Sequence, residues 1–381
     1  MRVAMVLPGL GRVQRGAETA FLELARALDE RPEVQVELFG SGLDGVGDLR
    51  VHAIPCAPRE RFERWPRIPA FRSDCHYEEF SFARNLLQSG LYRPDRFDVV
   101  LGCTYPHVNW ALRRAGRRGG PRIVFATQNG DWPCRSRKNE FRFFRCDGLV
   151  CTNPEYYEAN RRDYHASLIP NGVDPDVFRP TEDGDSSPSL LEGIPRGRVV
   201  LMAAALIDSK RVAEGIAAVA RVQDAFLVVV GDGPLRSKVA ALAGELLPGR
   251  HALLGSVPRE RMPAIFRRAD AFLHMSRDEP FGIVYLEAAA TGLPVVAHDG
   301  PVPRWVLGES ALFADTADLD AVANRLVRAL DREIGPRLGE EARRRVVDGW
   351  TWRAQADRYL DFFRSLCECD SPALLAEYAA R

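Results

Sequence analysis

Two carboxylates bracket seven residues in Glu279-Pro-Phe-Gly-Ile-Val-Tyr-Leu-Glu287, and the run continues into AAATGLPVVAHD. Pro280 biases Glu279 away from helix and toward extended backbone. Gly282 lets another backbone or a ligand come close. A helix is expected from about Phe281, and its free N–H groups and positive dipole end favour a phosphate there. At roughly 1.5 Å per residue, Glu287 then lies about 8 Å along the axis. Such a site suits an extended anionic ligand with hydroxyl-bearing groups at both ends, and a nucleotide sugar is one molecule of that kind. Taken alone, either glutamate is equally well a solvated carboxylate at a helix start, stabilised by the dipole.

The elements that must position these residues alternate along the chain. VAMVL is followed by a helical pattern over about Glu18–Leu28, then VQVELFG, and later DVVLG, RIVFAT, GLVCT and SLIPN. The second half repeats the theme with VVLMAAAL, a helix near Ala213–Val222, AFLVVVG, HALLGSV, AFLHMS and PVVAHD. Alternation of this kind predicts parallel sheets covered by helices. Residues 181–197, polar and rich in Gly, Ser and Pro, read as a linker. The expected division is an N-terminal domain over 1–180, the linker, a C-terminal domain over 198–355, and a terminal segment, 356–381. WTWRAQADRYLDFFRSL is an amphipathic helix at that end. Residues 56–80 carry arginines and aromatics without a period and read as an irregular excursion. Ligands bind such sheets at the carboxyl ends of their strands.

Composition agrees and excludes some classes. A chain of 381 residues suggests two domains. Its 52 basic and 52 acidic residues cancel, against the basic excess of a dedicated nucleic-acid binder. No run approaches the ~18 apolar residues of a membrane span. MRVAMVLPGLG reads as a first buried strand rather than a signal peptide. The eight cysteines show no paired C-x-x-C zinc spacing. Reduced thiols in a cytoplasmic protein are expected, with Cys367-Glu-Cys369 a minor alternative metal or redox site.

The ordered series of motifs resembles glycosyltransferase family 4, retaining enzymes of the GT-B fold. The match runs through Asn171-Gly-Val-Asp174 with Phe178 and Pro180, Gly231-Asp-Gly-Pro234 after FLVVV, LGSVPRERM, Arg268-Ala-Asp270, and Ser276 to Asp299. Good agreement covers about 147–300, with weaker agreement toward both ends. The resemblance implies two doubly wound Rossmann-like α/β domains facing a central cleft, with acceptor bound by the first and donor by the second. It also implies a terminal helix that crosses back to the first domain.

In the family reading, Glu279 lies beside the transferred sugar, and the N–H groups of Phe281, Gly282 and Ile283 hold sugar or phosphate oxygens. Glu287 accepts hydrogen bonds from the ribose hydroxyls, and backbone near Gly255–Val257 recognises the base. Lys210 stands where the family places its phosphate-binding lysine. Only three of the 52 basic residues are lysine, so its presence in DSKRV is informative, although an exposed basic pair at a helix start is the bland alternative. The family's preceding Gly-Arg pair is replaced by Ala204-Ala205, and Arg211 is expected to supply the missing charge. As negative charge grows on the departing phosphate, Lys210 and Arg211 would stabilise it.

In the first domain, Gly9-Leu-Gly11 and Arg15-Gly-Ala-Glu18 do not form G-x-G-x-x-G, because Gln14 breaks it. They resemble the family's Gly-Gly-x-Glu loop, with Gly16 approaching the diphosphate; an ordinary turn is the alternative. In Thr127-Gln-Asn-Gly-Asp131, Gln128 and Asn129 stand where relatives often carry a histidine. Neither is a general base near neutral pH, which fits a front-face mechanism in which the leaving phosphate takes the acceptor proton. His107 is the other candidate, though a lone histidine is more often structural. Trp132 and Trp110 could stack on an acceptor sugar or belong to the core. Arg113, Arg114, Arg117, Arg118 and Arg122, then Arg135, Arg137, Lys138, Arg142 and Arg145, make the first domain's loops basic. That favours an anionic acceptor or peripheral contact with the inner membrane surface, or is simply a solvated arginine face.

No metal or other cofactor is expected, because no Asp-x-Asp follows a strand; Asp174-Pro-Asp176 belongs to the NGVD segment. The co-substrate is a UDP-, GDP- or ADP-linked sugar, with the base, sugar and acceptor left open. Two competing readings remain. One is another GT-B enzyme, such as a nucleotide-sugar epimerase. The other is a catalytically silent sugar-binding or scaffold protein, which the departures at Arg15, Asn129 and Ala205 keep in play.

Overall fold

The apolar runs become two all-parallel sheets in a computed structural model. It describes all residues except 14, 63–64, 66–70, 72, 117–118, 131–142, 183–190 and 369–381. Trp132 and the basic residues Arg117, Arg118, Arg135, Arg137, Lys138 and Arg142 lie outside the described residues. The chain divides into two compact units, Met1–Asn171 with Trp352–Arg381, and Gly172–Thr351.

The first unit contains β1 (Arg2–Val6), α1 (Gly16–Asp29), β2 (Gln35–Gly40), β3 (Arg50–Ala53), α2 (Asp74–Gln88), β4 (Val99–Gly102), α3 (His107–Ala115), β5 (Arg122–Ala126), β6 (Gly148–Cys151), α4 (Pro154–Asn160) and β7 (Ala166–Leu168). Its sheet order is β3-β2-β1-β4-β5-β6-β7. The strand order therefore reverses between β1 and β4, where Met5 pairs with Leu101. All of β4 is buried, as expected of a strand covered on both faces.

The second unit contains β8 (Val199–Ala203), α5 (Val212–Ala220), β9 (Phe226–Val230), α6 (Arg236–Leu246), β10 (His251–Gly255), α7 (Met262–Arg268), β11 (Ala271–His274), α8 (Ile283–Ala290), β12 (Val295–His298), α9 (Pro301–Leu307), β13 (Ala311–Ala314), α10 (Leu319–Ala329) and α11 (Ile334–Gly349). The order β10-β9-β8-β11-β12-β13 puts its reversal between β8 and β11. One face of this sheet packs α8, whose Ala288, Ala289 and Ala290 are fully buried. Small residues there let α11 come in tightly. A Cβ on Gly339 would stand 1.9 Å from the carbonyl oxygen of Gly292, so no larger residue fits without moving a helix.

The unit boundary falls at 171/172 rather than near 180. The physical reason is local pairing: Val173 donates its N–H to the Trp350 carbonyl at 2.9 Å and bridges Thr351 in parallel, while Phe178 packs edge-on to Phe266. Nor is all of 181–197 free of the fold, since Leu191 and Ile194 are buried in the second unit's core. The terminal helix α12 (Trp352–Glu368) belongs to the first unit. Asp357 accepts from Arg31 at 2.9 Å, Glu30 from Arg353 at 3.2 Å and Glu33 from Arg364 at 3.1 Å. No described helix is long and apolar enough to cross a membrane.

Candidate active site

The reversal between β8 and β11 explains why Lys210 and Glu279 meet. Each lies in the loop that leaves one of these adjacent strands at its carboxyl end, the place where doubly wound sheets open a crevice. Lys210 closes a short turn, Asp208–Lys210, and Arg211 follows it in the left-handed conformation at φ 51°. Across from them the Glu279 Oε2 accepts from Lys210 Nζ at 2.5 Å and contacts His274 Nε2 at 2.9 Å. Burial alone would push this carboxyl up. The His274 hydrogen bond and the electrostatic pull of His274 and Lys210 outweigh it and hold the carboxyl down at about 2. Glu279 is therefore an anion across the working pH range.

The helix expected from Phe281 begins at Ile283. Its start is set by Gly282, which caps it at φ 80° and ψ 73°, a conformation that a side chain opposes. A Cβ on Gly282 would also stand 2.6 Å from the Tyr285 ring and 3.0 Å from Glu279 Cγ. Gly282→Ala is expected to destabilise the protein by about 2 kcal/mol or more, from the left-handed backbone and the overpacking together. Gly244→Ala is the control, because Gly244 lies inside α6 with open space at its Cβ position; there alanine adds about 0.5–1 kcal/mol by helix propensity. Denaturant midpoints that moved the same way in both variants would contradict this account of Gly282.

Phe281 turns its side chain into the core, edge-on to Trp305 at 6.2 Å, which leaves only its backbone to serve a ligand. Tyr285 is fully buried, and among the described residues its hydroxyl has no hydrogen-bond partner. Burial first, and the Glu279 charge second, push that hydroxyl well above the usual range. Glu287, about one turn from the start of α8, is 2% exposed and ion-paired to Arg259. The Arg259 guanidinium sits 4.7 Å over the Phe178 ring, so it is fixed by stacking as well as charge. Arg343 donates to the Ala290 carbonyl at the carboxyl end of α8 and to the Phe178 carbonyl at 3.3 Å. Orphan carbonyls at a helix end need such partners.

Arg211 faces its own unit. It donates to the Thr316 carbonyl at 3.2 Å and pairs with Glu214 at 3.4 Å, while its buried Nε has no partner among the described residues. Gly255 adopts φ +67°, with the Arg236 guanidinium 3.4 Å from its Cβ position, and Val257 packs against the core. Among the described residues no group of three or more His, Cys, Asp or Glu side chains could hold a metal ion.

In the first unit Gly16 opens α1 and has open space where a Cβ would stand. Gln128 and Asn171 exchange amide hydrogen bonds, at 2.6 Å and 3.1 Å, which commits Gln128 to the fold. Asn129 donates to the Cys103 carbonyl at 3.4 Å. His107 stacks on Phe71 at 5.3 Å and meets Trp110 edge-on at 6.1 Å. Trp110 itself is 37% exposed. The structure thus brings Lys210, Glu279 and Gly282 together, with Glu287 on the helix that Gly282 caps. It adds His274, Tyr285 and Arg259, which the sequence reading missed. His274 left one signal, a polar ring ending an otherwise apolar strand five residues before Glu279.

Comparison with known proteins bears on the family and the fold. The pattern of the glycosyl transferases group 1 matches residues 192–346, and that of glycosyltransferase family 4 matches residues 14–177. The lipopolysaccharide core biosynthesis glycosyltransferase LpsE of Rhizobium meliloti is 30% identical over 92% of this chain and 96% of its own. A GDP-mannose-dependent alpha-(1-6)-phosphatidylinositol monomannoside mannosyltransferase of Mycolicibacterium smegmatis is 32% identical over 50% of this chain. The chain spans about half the length of that relative, 54%. Among solved structures, the sucrose-phosphate synthase of Thermosynechococcus elongatus superposes with a TM-score of 0.77 at 19% identity, over 97% of this chain and all of that one. The chain belongs to glycosyltransferase family 4 and has the GT-B fold.

Proposed function

We propose that the chain transfers a hexosyl group from a nucleoside-diphosphate sugar to a hydroxyl-bearing acceptor, with retention of anomeric configuration. The observation that carries this reading is the junction of Lys210 and Glu279 at the reversal of the second sheet, beside the capped start of α8. Cleavage of the anomeric bond builds positive charge on the sugar and negative charge on the phosphate. Glu279, an anion fixed by two partners, suits the first. Lys210 suits the second, aided by the N–H groups of Phe281, Gly282 and Ile283 and by the charge of Arg211. Glu287 takes the ribose hydroxyls, and backbone at Gly255–Val257 the base. The two glutamates do not act as a hydrolase pair, which would flank one bond; Glu287 sits at the nucleotide end.

The first unit supplies the acceptor contacts, with Gly16, Asn129, His107 and Trp132 as its candidate ligand-binding residues. Gln128 acts there through Asn171 rather than on the sugar. Without a neutral-pH base among Gln128 and Asn129, the leaving phosphate takes the acceptor proton. The basic residues Arg113 and Arg114 on α3, Arg122 at the start of β5 and Arg145 suit an anionic acceptor or membrane surface. The phosphatidylinositol mannoside in the name of the Mycolicibacterium smegmatis relative is an acceptor chemistry of that kind. GDP-mannose is the first donor to try, with UDP- and ADP-sugars beside it.

Incubation with this donor panel in EDTA, on glycan and glycolipid acceptors, tests the reading. Product from one donor class, with the donor's anomeric configuration by NMR and an undiminished rate in EDTA, is expected. Activity abolished by EDTA and restored by magnesium would overturn metal independence. Nucleotide binding without turnover on any acceptor would favour a silent sugar-binding protein, the reading that Ala205 and Arg15 support.

A further inference from the structure

We propose that, in the donor-free protein, Glu279 stands in for the diphosphate on Lys210, and that His274 keeps Glu279 in place once Lys210 leaves it. This rests on the reading of Lys210 as the phosphate-binding residue. Two side chains share one oxygen. Lys210 Nζ and His274 Nε2 both meet Glu279 Oε2, at 2.5 Å and 2.9 Å. Among the described residues nothing donates to Oε1, which leaves that oxygen for a sugar hydroxyl.

The two partners differ in how they are held. Lys210 ends a short turn on a flexible four-carbon stem, and its side chain is 23% exposed. His274 ends a central strand and its side chain is 3% exposed. Its ring stacks on Phe272 at 6.2 Å and meets Tyr285 edge-on at 5.0 Å. An incoming diphosphate offers the ammonium several charged oxygens, so Lys210 can exchange one anion for another. His274 cannot follow it. Glu279 then remains anchored through Oε2 by the imidazole, with Oε1 directed at the ligand. A lysine already occupied by an internal carboxylate is also kept desolvated and oriented before the donor arrives. His274 is thus a positioning residue that acts through Glu279.

The hand-over makes an unusual prediction. Glu279→Gln removes the competing anion, so free nucleoside diphosphate binds more tightly while transfer is lost. Isothermal titration of GDP and of UDP into the wild type, Glu279→Gln, Lys210→Ala, His274→Leu and His274→Gln tests it, beside steady-state kinetics. The expected result is roughly fivefold or more tighter binding to Glu279→Gln, the size of a charge-assisted contact no longer displaced. His274→Leu is expected to lower kcat with little change in donor KM, and His274→Gln, whose amide can still donate to Glu279, to recover much of that loss.

Equal or weaker binding to Glu279→Gln, with Lys210→Ala still impaired, would overturn the stand-in while leaving the phosphate role of Lys210 intact. His274→Gln no better than His274→Leu would overturn the holding role. Binding unaffected by Lys210→Ala, or absent from the wild type for both nucleotides, would refute the underlying site reading and the proposal with it.

Discussion

Lys210→Ala is expected to lower kcat for sugar transfer by about 10²–10³-fold, the usual cost of removing one preorganised partner of a developing anion. The lysine meets Glu279 at the reversal of strand order, and no other lysine lies in the same loop. Arg211 cannot substitute fully, because its guanidinium is turned to Thr316 and Glu214. The folded state should survive, since the Lys210 side chain is partly exposed. Stopped assays of turnover, with unfolding midpoints as the fold control, separate the two effects. A kcat within a few-fold of wild type, at saturating donor, would move the phosphate site elsewhere.

Glu287→Ala is expected to raise donor KM by about 10–100-fold, the loss of hydrogen bonds to a charged acceptor, with a smaller effect on kcat. A group that binds the nucleoside end contributes equally in the ground and transition states, and such uniform binding appears in KM. The truncation also leaves Arg259 without its carboxylate, so part of its cost is structural. Glu287→Gln keeps the shape and an acceptor oxygen, and its KM should fall between those of the wild type and Glu287→Ala. Donor titrations on all three check the ranking. A kcat effect larger than the KM effect would place Glu287 at the reacting bond instead.

What the sequence made legible is what local pattern encodes. Apolar runs such as VVLMA become buried strands, and GIVYLEAAA between Pro280 and Gly292 becomes a helix with a fixed face. The likeness of the motif series to one family then carried Lys210, Glu279 and Glu287 into named roles. The unread parts are contacts between distant positions. Lys210 and Glu279 are 69 residues apart, and nothing in one sequence says that His274 would share the same carboxylate oxygen. Arg259 was invisible for the same reason: a guanidinium in a turn acquires its meaning only from Phe178 and Glu287 beside it. The late start of α8 was missed because Gly282 was read as permitting close approach. Its left-handed backbone instead sets the cap. Gln128 was read only by its place in the motif, where relatives often carry a histidine, and its reciprocal amide pair with Asn171 joins positions 43 residues apart.

In the proposed function the second unit binds a nucleoside-diphosphate sugar through Lys210 at the phosphate end and Glu287 at the ribose end. The most direct test of that claim is thermal stabilisation by UDP, GDP and ADP and their sugars, in the wild type, Lys210→Ala and Glu287→Ala. A ligand at 100 times its dissociation constant adds about 2.7 kcal/mol of stability, enough to shift the midpoint measurably. A shift with one nucleotide, reduced in both variants, is the predicted result and names the base. A folded wild type that no nucleotide stabilises, or a shift that both variants retain in full, would contradict the claim.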